Sequence, residues 1–197
     1  MVTIGVLALQ GAFIEHQHML EKLGAKVVQV RLPQHLNGLD GLVIPGGEST
    51  TIGKLATEYK LIEPLREFAE TKPTWGTCAG LIFLAKDIGI ESQPILGVMD
   101  VQVDRNAFGR QVDSFEADIA MKGLSSAAPF HAVFIRAPIV RHASENVEVL
   151  AQIDNNTIVA VRQEHLLGTA FHPELTNDLR VHQYFYDMVA EIDSTPN

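Results

Sequence analysis

One cysteine stands in a sequence context that favours nucleophilic chemistry. Cys78 is the only cysteine in the 197 residues, and Gly76 and Gly80 flank it where a short strand passes into an apolar helix. A tight turn of this kind presents one side chain above a parallel sheet. The start of a helix also favours the reactive thiolate form. Because a lone cysteine is more often a buried core residue, this interpretation needs a second catalytic group.

That second group is predicted near the end of the chain, where Phe171-His172-Pro173-Glu174 follows an apolar strand. Histidine can take the proton of a cysteine, and it needs a third group to hold its tautomer. Side chains two residues apart at a strand end point to the same side, so we expect Glu174 to accept a hydrogen bond from His172. The sequence therefore predicts a Cys78–His172–Glu174 triad.

The remaining histidines lack such a context. We expect solvated or structural roles for His16, His18, His35, His131, His142, His165 and His182. No pair of them forms, together with the cysteine, a convincing zinc set. The sequence therefore predicts neither a metal nor a cofactor.

A second glycine-rich segment follows another buried strand. Residues 39–45 are mostly apolar and run into Gly46-Gly47-Glu48-Ser49-Thr50. Two glycines at this place allow the backbone to approach a ligand closely. Ser49 and Thr50 are candidate caps for the helix that follows. By itself the segment fits a binding loop and a plain capped turn about equally well.

The elements that position these segments alternate between strands and helices. The first half of the chain predicts strands at 3–10, 26–31, 39–45 and 74–78, with helices at 13–23, after the glycine pair, at 61–70 and at 79–88. This order is typical of a doubly wound α/β fold with a parallel sheet, whose ligands bind beyond the carboxyl ends of the strands. Gln10, Gly46-Gly47 and Cys78 all lie at such ends.

From residue 95 onward the strands become shorter and alternate in polarity. They are predicted at 96–103, 114–120, 132–137, 147–153, 157–162 and 167–171, with a hairpin turn at 154–156 and a closing helix at 177–192. We expect some to form an antiparallel extension and the last to return to the central sheet. The predicted fold class is α/β: one domain over residues 1–197, doubly wound, with a mostly parallel central sheet, flanking helices and an antiparallel extension.

Charge and hydropathy exclude several classes of partner. The net charge is −9 and the pI is near 5.3, whereas sequence-independent nucleic-acid binding needs a basic face. The N-terminus lacks the features of a signal peptide, and no apolar run approaches the roughly 18–20 residues of a membrane span. We expect a cytoplasmic protein with no nucleic-acid or membrane partner, and a single cysteine agrees with a reducing compartment.

The two catalytic segments resemble those of the class I (triad) glutamine amidotransferases. Four further segments narrow the resemblance to the glutaminase subunit of pyridoxal 5′-phosphate synthase: Leu-Gln-Gly at 9–11, Pro-Gly-Gly-Glu-Ser-Thr at 45–50, Arg-Asn-Ala-Phe-Gly-Arg-Gln at 105–111 and Phe-Ile-Arg-Ala-Pro at 134–138. The resemblance covers residues 3 to about 188. Family members commonly carry serine where this chain has Ala107, a change that we expect to be silent.

The resemblance implies an activity and a set of site residues. The activity is hydrolysis of L-glutamine to L-glutamate and ammonia, with attack by Cys78. By the family pattern, the substrate is held by Gly47, Glu48, Ser49, Arg105, Ile135 and Arg136. The N–H groups of Gly47 and Ala79 are the natural donors to the oxyanion, and an arginine suits the α-carboxylate of glutamine.

The resemblance also implies a partner, a separate (β/α)8-barrel synthase subunit that receives the ammonia through a protein channel. Gln10 and the Gly46-Gly47 peptide lie where a docked partner would set the oxyanion hole. Three alternatives stay open. They are the glutaminase subunit of another amidotransferase, such as imidazole glycerol phosphate synthase, a cysteine peptidase or stress protein on the same scaffold, and a non-catalytic interaction module.

Overall fold

The structure, a computed structural model, describes residues 1–90, 92–105, 114–154 and 156–193. The strands in these residues are β1 (Thr3–Leu7), β2 (Lys26–Val30), β3 (Gly41–Ile44), β4 (Thr74–Thr77), β5 (Ala85–Asp87), β6 (Met99–Asp104), β7 (Ser114–Ile119), β8 (Phe130–Ile135), β9 (Ile139–Ala143), β10 (Glu148–Ile153), β11 (Thr157–Gln163) and β12 (Leu166–Thr169).

The helices of the described residues are α1 (Phe13–Lys22), α2 (Ser49–Glu58), α3 (Ile62–Thr71), α4 (Ala79–Leu84) and α5 (Arg180–Asp193), and Pro33–Leu36 and Pro173–Leu175 form short 3₁₀ turns. None of these helices has the length and apolar character needed to cross a membrane. Helix α1 packs against α5, and α2 packs against α4.

Ten of the described strands form one sheet in the order β2-β1-β3-β4-β12-β11-β9-β6-β5, with β10 paired to β11. Strands β2, β1, β3, β4 and β12 pair in parallel in this order. Beyond β12, the pairs β12–β11, β11–β9 and β9–β6 are antiparallel. The predicted fold class, a mostly parallel sheet with flanking helices and an antiparallel extension, is confirmed. The last strand also returns to the centre as predicted, because Thr169 of β12 lies beside Thr77 of β4.

The central strands β3, β4 and β12 are buried along their whole length because both faces of the sheet are covered. Leu42, Val43 and Ile44 of β3 and Trp75 of β4 are fully buried. This packing leaves the carboxyl ends of β1, β3, β4 and β12 at one edge of the sheet, where the predicted site residues follow them in the sequence.

One predicted helix is too long. Helix α4 ends at Leu84, and Ala85–Asp87 forms strand β5 beside β6 instead of continuing the predicted helix 79–88. The carbonyl groups of Phe83 and Leu84 accept hydrogen bonds from the N–H groups of Leu96 and Val98. These contacts with a later segment replace the helical bonds, so the helix stops at Leu84.

Two other features differ from the sequence predictions. Strand β9, which joins the extension to β11, was not predicted. Strands β7 and β8 were predicted, but they pair with each other in a separate two-stranded sheet. The predicted turn at 154–156 includes residue 155, and that residue and 106–111 of the predicted family segment lie outside the described residues.

Helix α4 approaches β3 so closely that only glycine fits at position 80. A Cβ atom on Gly80 would lie 2.0 Å from the carbonyl oxygen of Ile44, and one on Gly76 would lie 2.4 Å from the carbonyl oxygen of Gly80. Both obstacles are backbone atoms of buried elements, which cannot move aside cheaply. The glycines around the cysteine are therefore required by packing.

We predict that Gly80→Ala destabilises the protein. Helix propensity alone favours alanine by about 1 kcal/mol, but overpacking against the Ile44 carbonyl group costs about 1–3 kcal/mol or more. Urea unfolding of Gly80→Ala checks this, with Glu67→Ala at an exposed position of α3 as the control. If the Gly80→Ala protein has its unfolding midpoint at the wild-type urea concentration or above, the packing argument is wrong.

Candidate active site

Cys78 lies in the turn between β4 and α4 in a backbone conformation that non-glycine residues rarely adopt. Its φ is 48° and its ψ is −104°, and such strain costs of the order of 1–3 kcal/mol. The Cys78 N–H donates a 2.8 Å hydrogen bond to the carbonyl oxygen of Thr169 on β12. The adjacent strand thus holds the turn in place, and the thiol lies 3.9 Å from the carbonyl oxygen of Ile135.

The predicted base and its partner are in contact. His172 Nδ1 lies 2.7 Å from Glu174 Oε1, and both residues are buried. The predicted geometry was wrong, because β12 ends at Thr169 and Pro173–Leu175 forms a 3₁₀ turn. The turn, and not strand alternation, brings the two side chains together. The backbone N–H of His172 also donates to the carbonyl oxygen of Val133, which ties this segment to β8.

The surroundings of His172 favour its protonated form. Burial lowers the pKa of the imidazole, but hydrogen bonds to Cys78 and Glu174 and the charges of these groups together raise it to about 10. Because Nδ1 is bonded to Glu174, Nε2 is the atom left to face the Cys78 thiol. A histidine held in this way can keep a proton taken from the thiol.

A cleft of about 350 Å³ opens above the Cys78 turn. It is lined by Gln10, Gly47, Glu48, Ser49, Cys78, Ala79, Ile82, Arg105, Ile135, Arg136 and His172. Every predicted substrate-binding and oxyanion residue therefore lies at this one cleft, and Glu174 lies behind His172. Ile82 is the lining residue that the sequence analysis missed, because it reads as part of an ordinary apolar helix.

The Gly46-Gly47 loop is wedged between the segment after β1 and the imidazole. A Cβ atom on Gly46 would lie 2.5 Å from His172 Cε1, and one on Gly47 would lie 2.2 Å from Gln10 Oε1. The Gly46 carbonyl oxygen accepts a hydrogen bond from Ala12, and Gln10 Oε1 accepts one from the Glu48 N–H. The position of the Gly47 N–H therefore depends on residues 10–12.

The cap of α2 is Glu48, and not Ser49 or Thr50 as predicted. The Glu48 carboxylate accepts hydrogen bonds from the N–H groups of Thr50 and Thr51 at 3.1 and 2.7 Å. The Thr51 hydroxyl and these N–H groups outweigh the effect of desolvation and lower the pKa of Glu48 to about 2. A fixed negative charge therefore stands at the mouth of the cleft beside the helix N-terminus.

Arg105 reaches the same mouth and is held by polar neighbours. Its guanidinium group donates to Gln93 Oε1 at 2.6 Å and to Thr50 Oγ1 at 3.2 Å, and it lies 3.7 Å from the Glu48 carboxylate. Gln93 was missed by the sequence analysis, since it lies in a loop without a recognisable motif. Arg136 enters the cleft from a strained position with φ 47° directly after β8.

Two of the histidines that were expected to be solvated or structural are fully buried behind the triad. His16 Nδ1 lies 2.9 Å from His182 Nε2, and His16 Nε2 lies 3.4 Å from Glu174 Oε2. Burial, followed by the charges of His182 and His172, keeps the pKa of His16 well below its usual value, and burial lowers that of His182 to about 3. Both rings are therefore neutral at neutral pH.

The fold and its cleft define a glutamine amidotransferase. A solved structure described as "Crystal structure of glutamine amidotransferase" matches with a TM-score of 0.89 and 52% identity over 95% of this chain and 98% of that one. The "Structure of PurLQS from Thermotoga maritima" matches with a TM-score of 0.70 at 15% identity, which supports the fold alone.

The chain belongs to the SNO glutamine amidotransferase family, whose model matches residues 6–191. It is 58% identical over 188 residues to "Pyridoxal 5'-phosphate synthase subunit PdxT" of Herpetosiphon aurantiacus, covering 93% of this chain and 98% of the relative. The protein of the same name from Desulforamulus reducens is 55% identical, over 95% of this chain and 100% of the relative. These matches confirm the family prediction and disfavour the peptidase and stress-protein alternatives.

We predict that His172 stays protonated through neutral pH and loses its proton near pH 10. A ¹⁵N-histidine NMR titration measures this, and the midpoint is expected to fall in Cys78→Ala because one hydrogen-bond partner is lost. Since the folded-state pKa lies above the ordinary 6.5, the resulting stabilisation is complete below pH 6.5 and is lost as the pH rises towards 10. A wild-type midpoint near 6.5 contradicts the prediction.

Proposed function

We propose that this chain is the glutaminase subunit of a pyridoxal 5′-phosphate synthase, and that it hydrolyses L-glutamine to L-glutamate and ammonia. The observation that carries the proposal is the cleft of about 350 Å³ at which Cys78, His172 and the predicted substrate residues meet. It lies in a chain that is 58% identical to a protein named as a subunit of that synthase.

In the proposed reaction, the Cys78 sulfur attacks the carboxamide carbon of glutamine while His172 holds the thiol proton on Nε2. The imidazolium then gives this proton to the leaving nitrogen, and ammonia departs from a γ-glutamyl thioester. His172 next takes a proton from water, which attacks the thioester and releases glutamate and the cysteine. Glu174 holds Nδ1 throughout, so that one nitrogen always faces the sulfur.

The proposed oxyanion hole consists of the N–H groups of Ala79 and Gly47. The Ala79 N–H is at the first position of α4, where backbone donors have no partner within the helix. The Gly47 N–H belongs to the loop that residues 10–12 hold. Donors already in place cost no reorganisation when the negative charge forms, which makes them effective in catalysis.

The proposed substrate contacts divide by charge. The Arg105 and Arg136 guanidinium groups suit the α-carboxylate of glutamine, whereas the Glu48 carboxylate at the mouth suits its ammonium group. Gly47, Ser49 and Ile135 border the space between these charges and Cys78. Such an arrangement recognises the amino-acid end and presents the carboxamide to the thiol.

We further propose a (β/α)8-barrel synthase subunit as the partner that receives the ammonia. Support comes from the relatives, which are named as subunits of a pyridoxal 5′-phosphate synthase. Gln10, the Gly46-Gly47 peptide and the exposed Gly11 lie together at the cleft. A subunit that docks here would act on the oxyanion hole through residues 10–12.

We predict that Cys78→Ala lowers glutamate release by about 10⁴-fold or more, because no other nucleophile replaces the thiol. Glu174→Ala is expected to retain more activity than Cys78→Ala, because Glu174 only orients the base. Glu67→Ala, an exposed change on α3, serves as the matched control and should leave the rate unchanged. If Cys78→Ala released glutamate at a rate close to that of the wild type, the proposed mechanism would be wrong.

We predict that adding the barrel subunit raises the glutaminase rate by about ten-fold or more, within the usual range of coupling between sites. The rate of glutamate release from L-glutamine, measured with and without that subunit, checks this. Cys78→Ala with the partner gives the background. Equal rates in the two conditions would contradict the idea that docking sets the oxyanion hole.

A further inference from the structure

A chain of buried polar groups continues behind Glu174, away from the cleft. His16 Nε2 lies 3.4 Å from Glu174 Oε2 and 3.2 Å from Thr77 Oγ1, while His16 Nδ1 lies 2.9 Å from His182 Nε2. Within the part of the chain that the structure describes, Glu174 Oε2 and His182 Nδ1 have no hydrogen bond of good geometry. His16 is thus the polar side chain that faces the outer oxygen of the proposed orienting carboxylate.

The contacts distinguish the two neutral tautomers of His16. With the proton on Nδ1, the Nε2 lone pair would face the Glu174 carboxylate, and His182 would carry an N–H on Nδ1 without an acceptor. With the proton on Nε2, the N–H donates to Thr77 Oγ1 and its positive end also faces Glu174 Oε2 at 3.4 Å, while Nδ1 accepts from His182. The second arrangement avoids the repulsion and the buried unpaired donor, each of which is costly.

We propose that His16 is a positioning residue, whose Nε2–H donates to Thr77 Oγ1 and also faces Glu174 Oε2 at 3.4 Å, where its electrostatic attraction favours the carboxylate orientation that keeps Oε1 on His172 Nδ1. The proposal rests on the proposed glutaminase function for its kinetic consequence, but not for its geometry. A carboxylate bonded at one oxygen alone can rotate about its last torsion angle, which is a broad one. A second contact from behind restricts this rotation, as outer hydrogen-bond partners do for metal-binding histidines.

The His16 ring is itself held in place. Its centroid lies 5.3 Å from that of Trp75 in an edge-to-face contact, and Trp75 also packs against His182. The Trp75 indole N–H donates to Thr169 Oγ1 at 3.1 Å. The side chain that restrains Glu174 is therefore fixed by the same two strands, β4 and β12, that carry Cys78 and lead to His172.

A neutral donor at this place has a specific advantage. A charged histidine behind Glu174 would compete with His172 for the negative charge of the carboxylate. His16 is fully buried beside His182 and close to His172, so it stays neutral and orients Glu174 without neutralising it. The carboxylate charge is then left to act on the His172 imidazole.

The first test needs no enzymatic activity. Histidine ¹⁵N shifts of the full-length chain at neutral pH identify the tautomer, with the His16 signals assigned by their absence in His16→Gln. We expect protonated Nε2 and unprotonated Nδ1. A proton on Nδ1, or a fast exchange between both forms, would overturn the proposal.

The second test is a double-mutant cycle on glutamate release by the chain with its barrel partner. His16→Leu is expected to lower kcat about ten-fold with KM little changed, and to have no further effect in the Glu174→Ala background. His16→Gln, which keeps a donor at the end of its side chain, should recover part of the loss. Phe185→Leu controls for destabilisation, because Phe185 packs on Trp75 in the same buried cluster.

The outcomes separate this proposal from the proposed function. A wild-type chain without glutaminase activity would refute the function and leave the tautomer result standing. An active wild type with an equally active His16→Leu, or with losses that multiply in the double variant, would overturn the positioning role. A fall in kcat for Phe185→Leu as large as that for His16→Leu would reduce the effect to packing and overturn the role as well.

Discussion

The parallel pairing of β12 with β4 is the constraint on which the cleft depends. It places Thr169 beside Thr77 and lets the Thr169 carbonyl group accept the Cys78 N–H. The last strand of the sheet therefore both supports the strained turn and delivers His172 to the sulfur. The strained conformation of Cys78 persists, at a cost of the order of 1–3 kcal/mol, because its N–H is bonded to Thr169 and the surrounding strands are buried. Any change that shifts β12 moves both halves of the proposed triad at once.

Close backbone approach is the second theme of the cleft. Gly80 meets β3 and Gly46 meets the His172 imidazole at distances that exclude a Cβ atom, and Gly47 lies against the side-chain oxygen of Gln10. The first contact lies in the core and fixes the turn. The second lies at the buried His172 ring, and only the third, at Gly47, lies at the surface, where the loop is held by a few hydrogen bonds to residues 10–12. The cleft thus combines a rigid wall with one that depends on an exposed segment.

The sequence was informative where chemistry follows directly after a strand. In a parallel sheet the carboxyl ends of the strands meet, so motifs after β1, β3, β4 and β12 had to converge, and they did. Features set by contacts between distant segments could not be predicted in this way. Strand β5 replaces helix because residues 96 and 98 bond to the end of α4. His16 lies on an ordinary amphipathic helix, and only the packing of α1 against the Pro173–Leu175 turn shows that it faces Glu174.

The distribution of charge follows from burial and neighbours. His172 lies between a carboxylate and a sulfur, and its pKa rises to about 10. The pKa of His182, which is buried without such partners, falls to about 3. One buried cluster therefore holds a histidine that keeps its proton and others that stay neutral. His172 and Glu174 are both buried. We infer that a docking subunit has little to change there, and that its effect on rate must pass through the Gly46-Gly47 loop and residues 10–12.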